Sequence, residues 1–362
     1  MDFLERHGKR ESNFELLRIL AMMMIVCGHL VSQGLCPNYS AGYNLHISIA
    51  FISSMSRIAV SIFLLIGTYF MVDTSFKANR ILNLYGQLAF WIILLSWGGV
   101  LIGYTSKRDL FWSFFPFISK SLWFVSDYLA LIILSPFINI VIQKRSVHKL
   151  LVVLLTLFVC IMPTIYIFTD SWLDGLSFFI FIYVLMAYYK RYMVKRLRPN
   201  KYILLIVATI IYSFLVIANQ YMISNGIRCN GNNIASKISQ MLYDYKTLPN
   251  LFIASSIFYF FLNTRMGKIK LINFMASSAL GVYIIHQTPA FYPVLWNKIL
   301  RCQEWCYSPH LLVYLIFAVI AVYTGLSLIS LFYSLIVERY WTSCKVYKIL
   351  EKKIGTAFDF VN

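Results

Sequence analysis

The residues best suited to catalysis or ligand binding are Arg18 and His29, which lie in an otherwise apolar stretch, NFELLRILAMMMIVCGHL. Ionisable side chains are costly inside a membrane and are therefore candidates for function. At about 100° per residue, their spacing places them about 20° apart on one helix face and roughly 16 Å apart along its axis. An arginine fork binds phosphate, and a neutral imidazole accepts a proton from a hydroxyl. This face could line a pathway that links a phosphorylated donor to an acceptor.

The same two side chains also have a purely structural interpretation. Arg18 could extend its charge to the lipid headgroups, and His29 could satisfy a hydrogen bond inside a helical bundle. Their spacing alone leaves both interpretations open.

Four other ionisable residues in apolar surroundings are candidates for binding the donor or the substrate. Glu15 lies on the first apolar segment. Arg57 is about ten residues from the predicted outer end of the second segment, too deep to reach the headgroups, so we expect it to face the interior. Asp127 is the only acid well inside the fourth segment and is a candidate partner of Arg57. His286 precedes a proline that favours a kink or helix end, and it could orient substrate or make a packing hydrogen bond.

Composition identifies lipid as the solvent of these residues. Of the 362 residues, 60% are hydrophobic and 13% are charged, against about 45–50% and roughly 25% in soluble proteins. Apolar runs of about twenty residues recur, each long enough to cross a hydrocarbon core. Lipid offers no hydrogen-bond partner to backbone N–H and C=O groups, so the sequence predicts an all-α, polytopic membrane bundle. Ten transmembrane helices are predicted, at 15–33, 47–72, 80–103, 121–143, 150–169, 172–189, 201–223, 249–264, 273–295 and 310–337.

The distribution of basic residues orients this bundle. With the amino terminus inside, and with Arg80 and Lys201 at the inner ends of their spans counted as inner, 22 of the 32 Lys and Arg residues fall in inner segments and 8 in outer ones, as the positive-inside rule requires. Both termini are therefore predicted to be cytoplasmic, with 1–14 as an N-terminal segment and 338–362 as a tail. Topology also explains the net charge of +18 without nucleic acid. We expect 1–362 to form a single membrane domain with no signal peptide and no appended extracytoplasmic domain.

Other chemistries have no motif in the chain. It lacks the phosphate-binding glycine loop, the zinc-protease histidine pair and the serine nucleophile elbow. Cys302 and Cys306 lie in a predicted outer loop at a spacing that suits a metal or a disulfide, but no second pair with histidine is near. We therefore expect no bound metal and no bound cofactor. The long outer segment 224–248 suits either a hydroxyl-rich ligand or an ordinary polar loop.

Four segments resemble the acyltransferase-3 family of integral-membrane acyltransferases, and the resemblance covers nearly the whole chain. The first contains Arg18 and His29 in the family's pattern of arginine, ten residues and histidine. The others are the Arg57 helix that runs into FLLIGTYF, then LWFVSDYLALIILSPFIN, and then SSALGVYIIHQTP. The chain departs from the pattern at Ser61 and at residues 67–69, where relatives often have Pro and a Ser-Gly-Tyr turn. These departures affect the expected helix shape or substrate preference more than the activity.

The resemblance implies a multi-pass enzyme of the bacterial inner membrane. Such an enzyme transfers an acyl group, most often acetyl, from cytoplasmic acyl-CoA to a hydroxyl of a cell-envelope glycan or lipid-linked saccharide. Acyl-CoA is then a substrate, not a cofactor. The resemblance further implies that His29 is catalytic, as general base or transient acyl carrier, and that Arg18 binds or positions the donor. Arg57 and His286 follow as secondary site residues.

Two alternatives share the predicted bundle. A transporter or flippase for a glycan or lipid would need a solute pathway but no acyl-CoA, and the lack of internal repeats weighs against it. A scaffold or sensor that kept the fold without the chemistry would usually have lost Arg18 and His29. Within the enzyme interpretation, a small molecule, a peptide or a lipid could also be the acceptor.

Overall fold

The computed structural model of the protein describes residues 11–35, 47–115, 122–169, 173–225, 234–242 and 244–359. Helices dominate these ranges, and no β-strand occurs within them. The prediction of an all-α protein is therefore confirmed.

The helices are numbered here in chain order. They are α1 Ser12–His29, α2 Ile47–Met71, α3 Ala78–Leu101, α4 Lys107–Ser113, α5 Trp123–Val141, α6 Arg145–Thr169, α7 Gly175–Tyr188, α8 Lys201–Ser224, α9 Ile234–Leu242, α10 Leu248–Leu262, α11 Lys270–Ala276, α12 Ala279–Gln287, α13 Leu311–Ser343 and α14 Lys345–Ala357. Segments of π-helix cover Leu30–Leu35, Tyr189–Met193 and Val294–Ile299, and a short 3-10 helix covers Cys302–Trp305.

Among the described residues, 7 helices are long and apolar enough to cross a membrane. They are α1 with its π-helical extension, α2, α3, α5, α6, α8 and α13. The predicted sixth and eighth spans correspond to shorter apolar helices, α7 with 14 residues and α10 with 15. The protein therefore has several membrane helices, while the count of ten and the side on which the termini lie stay predictions.

The predicted ninth span, 273–295, is divided rather than continuous. Helix α11 ends at Ala276 and α12 begins at Ala279. Helix α12 then ends at Gln287, and Thr288 has an extended backbone because the proline that follows disfavours the helical conformation of the residue before it. The helix end that was predicted before the proline is present, whereas the interruption at Ser277 and Ser278 was not predicted.

Helix α1 lies at the centre of the bundle, where it contacts α2, α10, α11, α12 and α13. In an 18-residue apolar stretch of α1 and its π-helical extension, 61% is buried, whereas only 11% of the corresponding stretch of α6 is buried. Helix α6 therefore lies at the periphery. The close contact of α1 with α2 depends on Gly28, because a Cβ there would lie 2.2 Å from Oγ of Ser56. The charged residues of α1 are thus held in the interior.

Local signals fix the starts of two other helices of the bundle, α7 and α8. Asp174 caps α7 by accepting a hydrogen bond at 2.7 Å from the backbone N–H of Ser177. Asn200 caps α8 in the same way, accepting from Tyr202 at 2.9 Å. Such caps satisfy backbone donors that a helix start leaves open, so the start of each helix is set by its own sequence.

Candidate active site

A cavity of about 410 Å³ lies between α1, α2, α5, α8 and α12. Three of the predicted site residues, Arg18, His29 and Arg57, line it together. Glu15, Asp127 and His286 are not among its lining residues. The structure thus separates the six candidates into three that line the cavity and three that do not.

His29 contacts His286 of α12 directly. Nδ1 of His29 and Nε2 of His286 are 3.0 Å apart, and Nδ1 of His286 lies 2.6 Å from the carbonyl oxygen of Val282. A carbonyl only accepts, so a neutral His286 donates from Nδ1 and accepts at Nε2. His29 then donates from Nδ1. This assignment, made from the hydrogen-bond network, leaves Nε2 as the basic atom of His29.

The contact between the two histidines is fixed by a second set of polar side chains. After His29 the chain continues as the π-helix Leu30–Leu35, a geometry that is frequent at functional sites. Within it, Oε1 of Gln33 accepts a hydrogen bond at 3.1 Å from the Trp296 indole, and the Gln33 and Gln287 amides lie within 3.5 Å of each other. These contacts join the ends of α1 and α12 beside the histidine pair.

Arg18 is held by Glu15, three residues earlier on the same helix. Nη1 of Arg18 and Oε2 of Glu15 are 2.5 Å apart, and their side chains are 22% and 5% exposed. Glu15 therefore orients Arg18 and offsets its charge instead of facing the cavity. The first apolar segment supplies both the cation and its support, as an i, i+3 pair on one helix allows.

Arg57 and Asp127 have different surroundings. Arg57 lines the cavity and is close enough to His29 for electrostatic interaction. Asp127 packs against the start of α7, where a Cβ at Gly175 would lie 2.0 Å from Oδ2 of the carboxylate. Both interact electrostatically with the hydroxyl of Tyr245. Their predicted pairing with each other stays a prediction.

Aromatic and amide side chains form another part of the cavity wall. The rings of Trp123 and Tyr245 stack with centroids 5.4 Å apart at 29°, and both line the cavity together with Asn219 and Gln220. Tyr245 belongs to the predicted outer segment 224–248, of which 226–233 and 243 lie outside the described residues. The sequence left that segment with two interpretations, a site for a hydroxyl-rich ligand or an ordinary polar loop, and it did not single out Asn219 and Gln220.

The two cysteines of the predicted outer loop do not bind each other. Cys302 is a buried free thiol, whereas Cys306 is disulfide-bonded. Within the part of the chain that the structure describes, no group of three or more His, Cys, Asp or Glu residues could hold a metal ion.

Comparison with known protein families gave a match that covers nearly the whole chain. The model of the acyltransferase-3 family, described as an acyltransferase domain, matches residues 11–338. The matched range includes every helix that lines the cavity. Searches of curated proteins and of solved structures found no match.

Proposed function

The chain belongs to the acyltransferase-3 family, and from this premise we propose that it transfers an acyl group, with acetyl as the first candidate, from cytoplasmic acyl-CoA. The acceptor is a hydroxyl of a cell-envelope or other exported glycan. The observation that carries the proposal is the single cavity that contains Arg18 and His29. The two residues are roughly 16 Å apart along α1. A phosphate site and a base thus belong to one continuous space.

The separation of Arg18 and His29 suits an acyl-CoA donor. Between its phosphate and its sulfur, the pantetheine arm of CoA has about thirteen bonds, equal to roughly four extended residues or about 14–15 Å. With a CoA phosphate held by Arg18, the thioester would therefore reach the level of His29. A donor with a short acyl phosphate would not extend that far.

Two observations support the direction of transfer. The positive-inside rule places the Arg18 end of α1 toward the cytoplasm, where acyl-CoA is made. Cys306, in the loop beyond α12, is disulfide-bonded, and disulfides form and persist in oxidising compartments outside the cytoplasm. His29 would then lie on the outer side of Arg18, where a glycan can approach.

The proposed reaction is a direct transfer that uses the free nitrogen of His29. Nε2 of His29 takes the proton of the acceptor hydroxyl while the hydroxyl oxygen attacks the thioester carbonyl carbon. The carbon–sulfur bond then breaks, and the leaving CoA thiolate takes that proton from His29. His286 accepts the hydrogen bond from Nδ1 of His29 throughout, while Arg57, which lines the same cavity, stabilises the negative oxygen of the intermediate.

The aromatic and amide wall supports a saccharide acceptor. The stacked rings of Trp123 and Tyr245 offer a flat apolar surface for the carbon–hydrogen face of a sugar. Asn219 and Gln220 add donors and acceptors for hydroxyl groups. An acyl chain alone would need only the apolar part of this wall.

The test is release of CoA by the purified protein, in lipid nanodiscs, from acetyl-CoA with and without envelope glycan. We expect glycan-dependent release by the wild type and its loss in both His29→Ala and Arg18→Ala. The matched controls are His310→Gln and Arg108→Ala, because both residues are exposed and outside the cavity, and both should retain activity.

Two results would contradict the proposal. If the folded wild type and the variants all release no CoA from several acyl donors, the result would favour a transporter, which moves glycan without releasing CoA. Activity in His29→Ala equal to wild type would exclude His29 as the base. Brief exposure to labelled acyl-CoA separates the routes: label retained by the wild type but not by His29→Gln would indicate an acyl-histidine instead of direct transfer.

A further inference from the structure

Helix α14, Lys345–Ala357, is not a continuation of the preceding span. Its first turn follows Cys344, whose backbone is extended at φ −64° and ψ 142°, so the chain turns sharply at the end of α13. The helix reads KVYKILEKKIGTA and contains four lysines and one glutamate. At about 100° per residue its side chains divide into three faces.

The first face of α14 packs on the bundle. Tyr347 is 4% exposed, and its hydroxyl donates a hydrogen bond at 2.7 Å to Oδ1 of Asn83. Just past the other end of the helix, Phe358 stacks on Phe76 with ring centroids 4.0 Å apart. Both ends of the helix are therefore fixed to the start of α3.

These two anchor points locate α14 at one end of the bundle. Asn83 is the sixth residue of α3, and Phe76 lies two residues before its start, so they differ by at most about 15 Å along the α3 axis. Tyr347 and Phe358, which contact them, are about 16 Å apart along α14. The helix therefore lies beside the start of α3, at the boundary where the spans begin.

The second face is apolar and uncovered. Val346, Ile349 and Leu350 are 56%, 54% and 37% exposed, and they occupy a sector of about 100°. The third face, about 60° wide, carries lysines. Those lysines are Lys345, Lys348 and Lys352, all exposed. Lys353 projects from within the apolar sector, where a long stem can lie along acyl chains while its ammonium reaches the headgroups.

We propose that α14 is an interfacial helix that binds the anionic headgroups of the cytoplasmic leaflet. A helix at the boundary with one apolar and one basic face is the arrangement that lies in a membrane surface, and lysines near that surface are attracted to anionic lipid. A soluble polyanion such as nucleic acid would use the lysines but leave the apolar sector exposed to water. This inference is independent of the acyl-transfer reaction.

The first experiment measures the depth of the two free faces. Full-length protein lacking Cys160 and Cys344, the free thiols of the described residues that are not buried, receives a spin label through either Ile349→Cys or Lys352→Cys. In nanodiscs that contain phosphatidylglycerol, we expect position 349 to be accessible to oxygen and position 352 to a water-soluble nickel chelate. Equal access of the chelate to both positions in these bilayers would overturn the proposal.

The second experiment measures the choice of lipid. Protein extracted from bilayers of equal phosphatidylglycerol and phosphatidylcholine is assayed by mass spectrometry for retained lipid. Replacing all four lysines by glutamine should lower the retained phosphatidylglycerol severalfold, whereas replacing them by arginine should not. An unchanged lipid ratio in the glutamine variant would refute the proposal.

A third arm distinguishes lipid from a soluble phosphate ligand. Millimolar inorganic phosphate or CoA is added to the labelled protein in anionic nanodiscs, and the accessibility measurement is repeated. We expect position 349 to stay at its depth. Its release into water by CoA at constant ionic strength would show that the lysines bind a soluble phosphate ligand instead of the membrane.

Discussion

His286→Leu tests whether the hydrogen bond behind His29 contributes to catalysis. Leucine is apolar and has no acceptor, so Nδ1–H of His29 loses the partner that lies at 3.0 Å. His29 becomes charged when it takes the proton, and hydrogen bonds to charged groups contribute about 1.5–3 kcal/mol. At about 1.4 kcal/mol per factor of ten, kcat should fall by about 10- to 150-fold. Since Arg18 is not altered, KM for acetyl-CoA should change by less than about twofold.

The assay is the initial rate of CoA release at saturating glycan with acetyl-CoA varied. His286→Gln should recover part of kcat, because its amide oxygen can accept a hydrogen bond, and His310→Gln should equal the wild type. A folded His286→Leu protein with wild-type kcat, or with a defect confined to KM, would refute the assignment of His286 as the residue that positions His29.

Three further predictions concern the support of the site. Glu15→Gln should leave Arg18 without its counter-charge, so KM for acetyl-CoA should change more than kcat in the same assay, and the reverse would contradict the ion pair's role. Gly28→Ala should lower the free energy of unfolding by about 1–3 kcal/mol because the new methyl group overlaps Ser56. Ser56→Gly in the same chain should restore much of the thermal unfolding midpoint. No recovery would mean that overlap with Ser56 is not the cause of the loss. Trp123→Ala should raise KM for glycan by about 2- to 10-fold, as the loss of about 0.5–1.5 kcal/mol of ring contact requires, and leave KM for acetyl-CoA unchanged; equal effects on both substrates would argue against a sugar platform.

The first helix was predictable because its information is local. Arg18 and His29 share a face through helical periodicity alone, and the structure places both in one cavity. Glu15 was predicted to bind the donor or the substrate and not to pair with Arg18, although the i, i+3 spacing is a signal for such a pair. Hydropathy also identified the long spans, since a run of about twenty apolar residues has few other structures available in lipid.

The contacts between distant segments were not predictable from this sequence. Gln33 and Trp296 are 263 residues apart in the chain, and the periodicity of one helix says nothing about which helix it will face. Division of the ninth span was missed for a different reason. Residues Ser277 and Ser278 are small and only weakly polar, so an average over twenty residues does not register the break between α11 and α12.

The use of histidine rather than a carboxylate behind His29 follows from the surroundings. His286 is fully buried, and moving an ion into such a site costs several kcal/mol. A neutral ring accepts the same hydrogen bond without that cost, though it stabilises a charged His29 less than a carboxylate would. His286→Glu should therefore lower the thermal unfolding midpoint further than His286→Leu, because the hydrogen bond from His29 offsets only part of the cost of burying a carboxylate. The opposite ranking would show that water or Arg57 reaches residue 286 and stabilises a charge there. A neutral ring would then not be required behind His29.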